Sequence, residues 1–397
     1  MAAPTNYYCD PSVAAGGVGT EVDPVDTVQN TVARILVVGR DAINGDQINV
    51  VEGTDDTPAA VIDLATVGAV YGNPAVDAPL NIRGCRRDPI TGLPVANNGG
   101  IGGMDGGANG FSIYDGNAGA TDYVNFIHMH LHNTAAARVM RFRDYSMLYG
   151  CEVDNTTAFE GVGLAPAGNS RNVIAHNYFH DCATYGVYGG GWRDKIVGNY
   201  CDVAAGSTGG IYLASLDNLV WRNMIVVNEV AANGILVSQS NQWLIGNTIF
   251  STVAATAAGI LFDAATHDSM VILDNLIEGF SGVGGRGIDF ANLTRHVQIY
   301  ENNSFHDNET DEDNRGDFDY EAGNDLAMAA SPLMKEGAMT FANRFNYFKP
   351  AIPVRGGAFP TGCRFDRGAV QVRLAIEREI PATVVTTIPA RTVLDPL

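Results

Sequence analysis

His130, Glu152, Tyr178 and Tyr200 follow one another at intervals of 22, 26 and 22 residues, and His132, Asp154, His180 and Asp202 repeat those intervals two positions later. Imidazoles, carboxylates and phenols on one face could supply a general acid and base, hold a divalent metal, or bind sugar hydroxyls. They do so only if each turn of the chain returns its pair to the same place. The pattern also works without a ligand, because alternating His and Asp on stacked strands make favourable cross-strand pairs.

The elements that would position these columns are legible in a second series. Asn177, Asn199, Asn223, Asn247, Asn275 and Asn303 recur at intervals of 22, 24, 24, 28 and 28 residues, and the register extends back to Cys151 and Met129. A fixed period in this range marks a solenoid, in which each repeat stacks on the last. Two residues after each asparagine stands a small or apolar residue: Phe179, Cys201, Ile225, Ile249, Ile277 and Phe305. Strands alternate faces with period two, so the asparagine and this partner point inward and the residues between point outward. Inward amides on successive turns can hydrogen-bond one another, which satisfies groups that are costly to bury alone.

Gly161-Val162, Gly186-Val187, Gly210-Ile211, Gly234-Ile235, Gly259-Ile260 and Gly287-Ile288 give a second strand per turn, followed by apolar residues in steps of two. A helix would place them three and four apart. The glycine is expected to supply a left-handed φ ahead of the strand. The expected fold is therefore all-β: a parallel β-helix solenoid with an internal asparagine ladder and an extended C-terminal tail. Its divisions are an opening segment over 1–58, coils and a closing segment over 59–371, and the tail over 372–397.

This pattern resembles the right-handed parallel β-helix, or pectin-lyase-like, superfamily over about residues 7–371. Tyr7-Tyr8-Cys9-Asp10-Pro11, Gly19-Thr20, Pro24 and Gly45-Asp46-Gln47-Ile48 look like the opening of bacterial and viral members. Ser331-Pro332-Leu333 and Asp366-Arg367-Gly368-Ala369 look like the closing segment. The superfamily holds polysaccharide lyases, hydrolases, epimerases, phage tailspikes and structural proteins, so the resemblance implies a fold and leaves function open. The paired-aspartate and Gly-His-Gly motifs of polygalacturonase-like hydrolases are absent, as is the arginine-proline signature of pectate lyases. The chain is most like the non-catalytic or tailspike-type members, and no catalytic residue is carried over.

Net charge is −20 with three lysines, Lys195, Lys335 and Lys349. That balance argues against nucleic acid and anionic membranes as partners. The N-terminus has no basic start and no apolar run, so no signal peptide is expected there. Six cysteines in a chain of this size imply no disulfide framework. The tail, with Ile380-Pro381 through Ile388-Pro389, is β-branched and proline-rich, and is expected to pack on the helix wall, on a neighbouring subunit or as a cap.

Further along the outward columns turn apolar at Met224, Val226, Phe250 and Leu276, and the glycine strands carry Leu236 and Leu261 outward. Stacked apolar residues form a patch that wants cover. These six are expected to form an oligomer interface, with a homotrimer preferred. Asp311, Asp313 and Asp317 lie in an acidic loop that could take calcium, although it does not fit the EF-hand pattern; no other cofactor is expected. Arg138, Arg141, Arg143 and Asp144 could orient a carboxylate or form surface ion pairs. The reading these features favour is a bacteriophage virion component, a capsid decoration or tail appendage that meets other virion proteins and could bind a polysaccharide. The alternative is an extracellular or periplasmic polysaccharide lyase or glycoside hydrolase.

Overall fold

A computed structural model of the protein describes residues 4–39, 41, 43–62, 78–107, 112–115, 123–135, 137–165, 170–263, 269–290, 296–313, 317–318, 326–327, 333–335 and 348–350. The chain is a parallel β-solenoid with three strands per coil, one more than the repeat alone requires. It divides into two units, residues 1–194 with 202–215, and residues 195–201 with 216–397.

In the first unit one parallel sheet stacks Thr5–Cys9, Asp46–Val51, Leu80–Arg87, Val124–Ile127, Met147–Tyr149 and Val173–Ala175. A second stacks Gly102–Asp105, Met129–Thr134, Glu152–Thr156 and Tyr178–Phe179. A third runs from Tyr114–Asp115 through Met140–Phe142, Val162–Leu164 and Tyr185–Gly189 to Gly209–Leu213. Inward residues of all three make the core, with the rings of Tyr114, Phe126 and Phe142 5.5 to 6.1 Å apart. Among the described residues one helix, Val28–Val38, interrupts the expected all-β order. Thr27 caps it by accepting from the Asn30 N–H, and Val28, Thr31, Val32 and Ile35 are its buried face.

The second unit repeats the plan. Its first sheet holds Lys195–Val197, Leu219–Trp221, Trp243–Ile245, Met270–Leu273 and His296–Glu301. Its second holds Met224–Val227, Thr248–Ser251, Leu276–Glu278 and Ser304–His306. Its third holds Asn233–Val237, Ala258–Phe262, Arg286–Asp289 and Thr310–Asp313.

The asparagine ladder is present and buried. In the second unit the N–H groups of Asn199, Asn223, Asn247 and Asn275 donate to the Oδ1 atoms of Asn223, Asn247, Asn275 and Asn303, at 2.9 to 3.2 Å. The Nδ2 groups of Asn223, Asn247 and Asn275 reach back to the carbonyls of Ile196, Val220 and Leu244 at 2.8 to 3.0 Å. In the first unit Cys151 N–H donates to Asn177 Oδ1 at 2.9 Å. A second ladder accompanies it. Ser146 N–H donates to Asn172 Oδ1, and Asn172 N–H to Asp194 Oδ1, at 2.9 and 2.8 Å. In the second unit Asn218 N–H donates to Gln242 Oε1 at 3.3 Å.

Each ladder residue follows a sharp corner. The residue before the first ladder, whether His128, Gly150, His176, Gly198, Arg222, Gly246, Asp274 or Asn302, has φ between 53° and 63°. Tyr145, Arg171, Arg193, Asp217, Asn241 and Ser269 stand likewise before the second, at 49° to 62°. A left-handed residue turns the chain between sheets, and the ladder side chain on the next coil accepts the N–H just past the corner. The strand-opening glycines do something else. Gly161, Gly234, Gly259 and Gly287 have no positive φ. A Cβ on Gly234 would sit 2.4 Å from Ile249 Cγ2 and 2.5 Å from the Gly259 carbonyl oxygen, and one on Gly259 2.4 Å from Ile277 Cγ2. These glycines provide space at an inner corner, which corrects the expectation of a special backbone angle.

Cys9, Cys85, Cys151, Cys182 and Cys201 are buried, and among the described residues none forms a disulfide. The residues 372–397, the closing motif at 366–369 and Cys363 lie outside the described residues.

Candidate metal centre

Register in the second sheet of the first unit sets the two outward columns. Gly103, His130, Glu152 and Tyr178 pair in one, and Asp105, His132 and Asp154 in the other, with His180 next. Six of the eight residues predicted to form the patch, His130, His132, Glu152, Asp154, Tyr178 and His180, therefore meet on one face.

Asp154 is its centre. Its Oδ2 lies 3.1 Å from His130 Nε2 and 3.1 Å from His180 Nε2, and its Oδ1 is buried with no hydrogen-bond partner among the described residues. His180 Nε2 is also 3.1 Å from Glu152 Oε1, while its Nδ1 is 2.8 Å from Asp181 Oδ2. Both ring nitrogens of His180 thus face carboxylates, the setting of an imidazolium. The His130 and His132 rings stack at 4.2 Å, and those of Tyr178 and His180 at 4.4 Å.

The charges shift accordingly. Burial works to lower the His180 pKa, but hydrogen bonds to Asp154, Glu152 and Asp181 outweigh it and carry it to about 10. For Asp154, burial works upward and the bonds from His130 and His180 prevail, holding it well below the usual carboxylate range. His130 is raised in the same contest, with Asp154 as its partner. Burial, with Asp202 and Glu152 nearby, pushes the Tyr178 phenol up.

Two groups of three donors share Asp154: His130, His132 and Asp154, and Glu152, Asp154 and His180. Within each, one ligand atom per residue lies within 4.8 Å of the others. The bare Asp154 Oδ1 adds an acceptor. Imidazole with carboxylate suits zinc, copper, nickel or iron better than calcium. The Asp181–His180 contact resembles the outer carboxylate that orients a metal-bound histidine.

Asp55 completes the face and was not singled out from sequence. Its Oδ2 sits 3.1 Å from His132 Nε2. Its coil precedes the ladder and carries no repeat signature. The available signal was Gly103, the one residue without a side chain in a polar column.

Other predicted residues are placed differently. Tyr200 falls in the second unit and is fully buried, so it is not part of an open face. Met224, Val226, Phe250 and Leu276 are buried within the chain, the last at 2 % exposure; pointing out of a sheet does not by itself leave a side chain uncovered. Leu236 and Leu261 are half-buried. Asp313 pairs with Arg286, and Asp311 Oδ1 accepts from Asn308 at 3.2 Å. The side chain of Asp317 lies outside the described residues. No three-donor group forms at these aspartates among the described residues. Arg138 pairs with the buried Glu160 at 3.1 Å, and Arg141 with Asp115 at 3.6 Å in a half-exposed ion pair.

Fold and site define a parallel β-helix protein with a polar lateral face of imidazoles and carboxylates. The family model described as periplasmic copper-binding protein (NosD) matches residues 201–324, under a third of the chain and beyond His130–Asp181. No curated protein matches the sequence. Among the described residues, no helix is long and apolar enough to cross a membrane.

Proposed function

We propose that the chain is a metal-binding β-helix protein whose lateral face takes a divalent transition-metal ion through His130, His132 and Asp154, with Glu152 and His180 as the second triplet. The observation that carries this is the sharing of Asp154 by two three-donor groups. The copper and the periplasm in the matched family's description support the class of ion and an extracytoplasmic location. The match does not supply the ligands, since its segment begins after them.

Calorimetric titration of chelator-treated protein with Zn2+ and Cu2+ tests the proposal. One saturable site per chain is expected, and Asp154→Asn should weaken it by at least tenfold. A wild-type chain that binds neither ion sinks the reading, as does an Asp154→Asn variant that binds like wild type.

A second reading is assembly: a homotrimeric bacteriophage virion component, with glycan contact at the same polar face. Its support is the half-buried apolar surface of the second unit, where Leu236 stacks on Leu261 and Leu219 on Trp243. Light scattering decides it, since a monomer removes its basis. A panel of polysaccharides assayed for cleavage tests the lyase or hydrolase alternative.

A further inference from the structure

Among the described residues, Arg83 is the only arginine buried in the fold, at 5 % exposure. Other arginines sit on carboxylates: Arg86 on Glu52, Arg87 on Asp10, Arg138 on Glu160, Arg286 on Asp289. Arg83 makes no ion pair among the described residues. Its Nη1 donates to Asn97 Oδ1 at 2.7 Å, and its Nε is buried without a partner. A guanidinium stays charged and carries five donors in a planar fork. Burying one beside neutral groups alone is costly. Burial lowers its pKa, and the groups opposing that are the Cys85 thiol and the Tyr149 phenol, neither a carboxylate.

The surroundings are built of amides. Asn97 Oδ1 also accepts from Gln47 Nε2 at 3.3 Å, and Gln47 Nε2 donates to Asn49 Oδ1 at 2.7 Å and Asn6 Oδ1 at 3.1 Å. Asn97 itself is exposed, in the loop after Pro94–Val95, at a left-handed φ of 62°. The oxygen over Nη1 is therefore carried by a solvent-facing side chain and can be displaced from outside. We infer that Arg83 is the anchor of a small-oxyanion site, in which two oxygens of the ligand replace Asn97 Oδ1 and reach the guanidinium edge. Two sources share this chemistry, the carboxylate of an acidic sugar and a free inorganic oxyanion.

Thermal melts of the full chain at constant ionic strength in acetate, glucuronate, sulfate and phosphate, each against chloride, test the site. A saturable rise in Tm with at least one oxyanion is expected, because a ligand that binds only the folded state stabilises it. A response to glucuronate and acetate assigns a carboxylate ligand; a response confined to sulfate or phosphate assigns an inorganic one. Arg83→Met should abolish the response. Asn97→Asp supplies an internal carboxylate at the same position, so it should raise Tm in chloride and weaken the anion response at least tenfold, even if Arg83→Met fails to fold. No response beyond chloride in wild type overturns the proposal, and so does an undiminished response in Asn97→Asp.

Discussion

Asp55 and His132 are 77 residues apart in the chain and 3.1 Å apart in the fold. The contact exists because Gly103, in the neighbouring column beside His130, leaves room for the Asp55 side chain. A Cβ on Gly103 would fall 1.5 Å from Asp55 Oδ1, where no atom fits. Gly103→Ala should expel the Asp55 carboxylate and leave His132 without this partner. In metal titrations we expect weaker binding, by threefold or more, with the fold retained by circular dichroism. Unchanged binding would separate Asp55 from the centre.

Proton and metal compete for His180. Its folded pKa lies near 10, above the unfolded value, so its contribution to stability is complete below pH 6.5 and is lost as pH rises through 10. Asp154 is depressed, so its contribution is present above pH 3.8 and is lost on acidification. A metal bound at Nε2 must displace the His180 proton. Apparent Zn2+ affinity should therefore climb between pH 6 and 8, by about tenfold per unit for each proton released. His180→Gln should flatten that slope, and a slope unchanged by the substitution would remove His180 from the ligands.

Asp194 is a ladder acceptor with no exposure, and burial pushes its carboxyl up to about 7. Its folded pKa exceeds the unfolded value, so the folded state binds more protons and stability declines as pH rises from about 4 to 7. Asp194→Asn keeps an acceptor for the Asn172 N–H and removes the titration. Urea melts should show the variant gaining on wild type across that window, by up to about 4 kcal/mol for a shift of this size. A constant difference between pH 4 and 8 would contradict the assignment.

Asn223→Ala removes a donor to Ile196 and an acceptor for Asn199 in one step. Stranding such groups in the interior costs about 1–3 kcal/mol. Chemical denaturation should show a loss of this order, whereas a negligible change would mean that buried water replaces the amide.

The first ladder was legible because its residue type is constant and its intervals vary little. The second was not, since Ser146, Asn172 and Asp194, or Asn218 and Gln242, share only a side-chain acceptor. The corners were hidden for a similar reason: His, Gly, Arg, Asp and Asn all adopt the left-handed angle there, and only glycine announces it. The polar columns of the candidate centre followed directly from ladder register, because outward slots alternate with inward ones. Tyr200 and Phe250 occupy outward slots on the same logic, yet both are buried. Register gives the direction of a side chain, while burial depends on what else the chain lays over it. Asp55 came from a coil with no repeat to index it.

The ladder also has a direction. Each asparagine N–H finds its acceptor on the coil that follows it in sequence, as Asn199 does on Asn223 and Asn247 on Asn275. A coil leaving the ribosome therefore stays unfinished until about another two dozen residues have emerged. At about 5–20 residues per second, that is a wait of roughly one to five seconds per coil. During that interval the newest coil exposes polar backbone and an open strand edge, so the growing tip is the part of a nascent chain most in need of a chaperone.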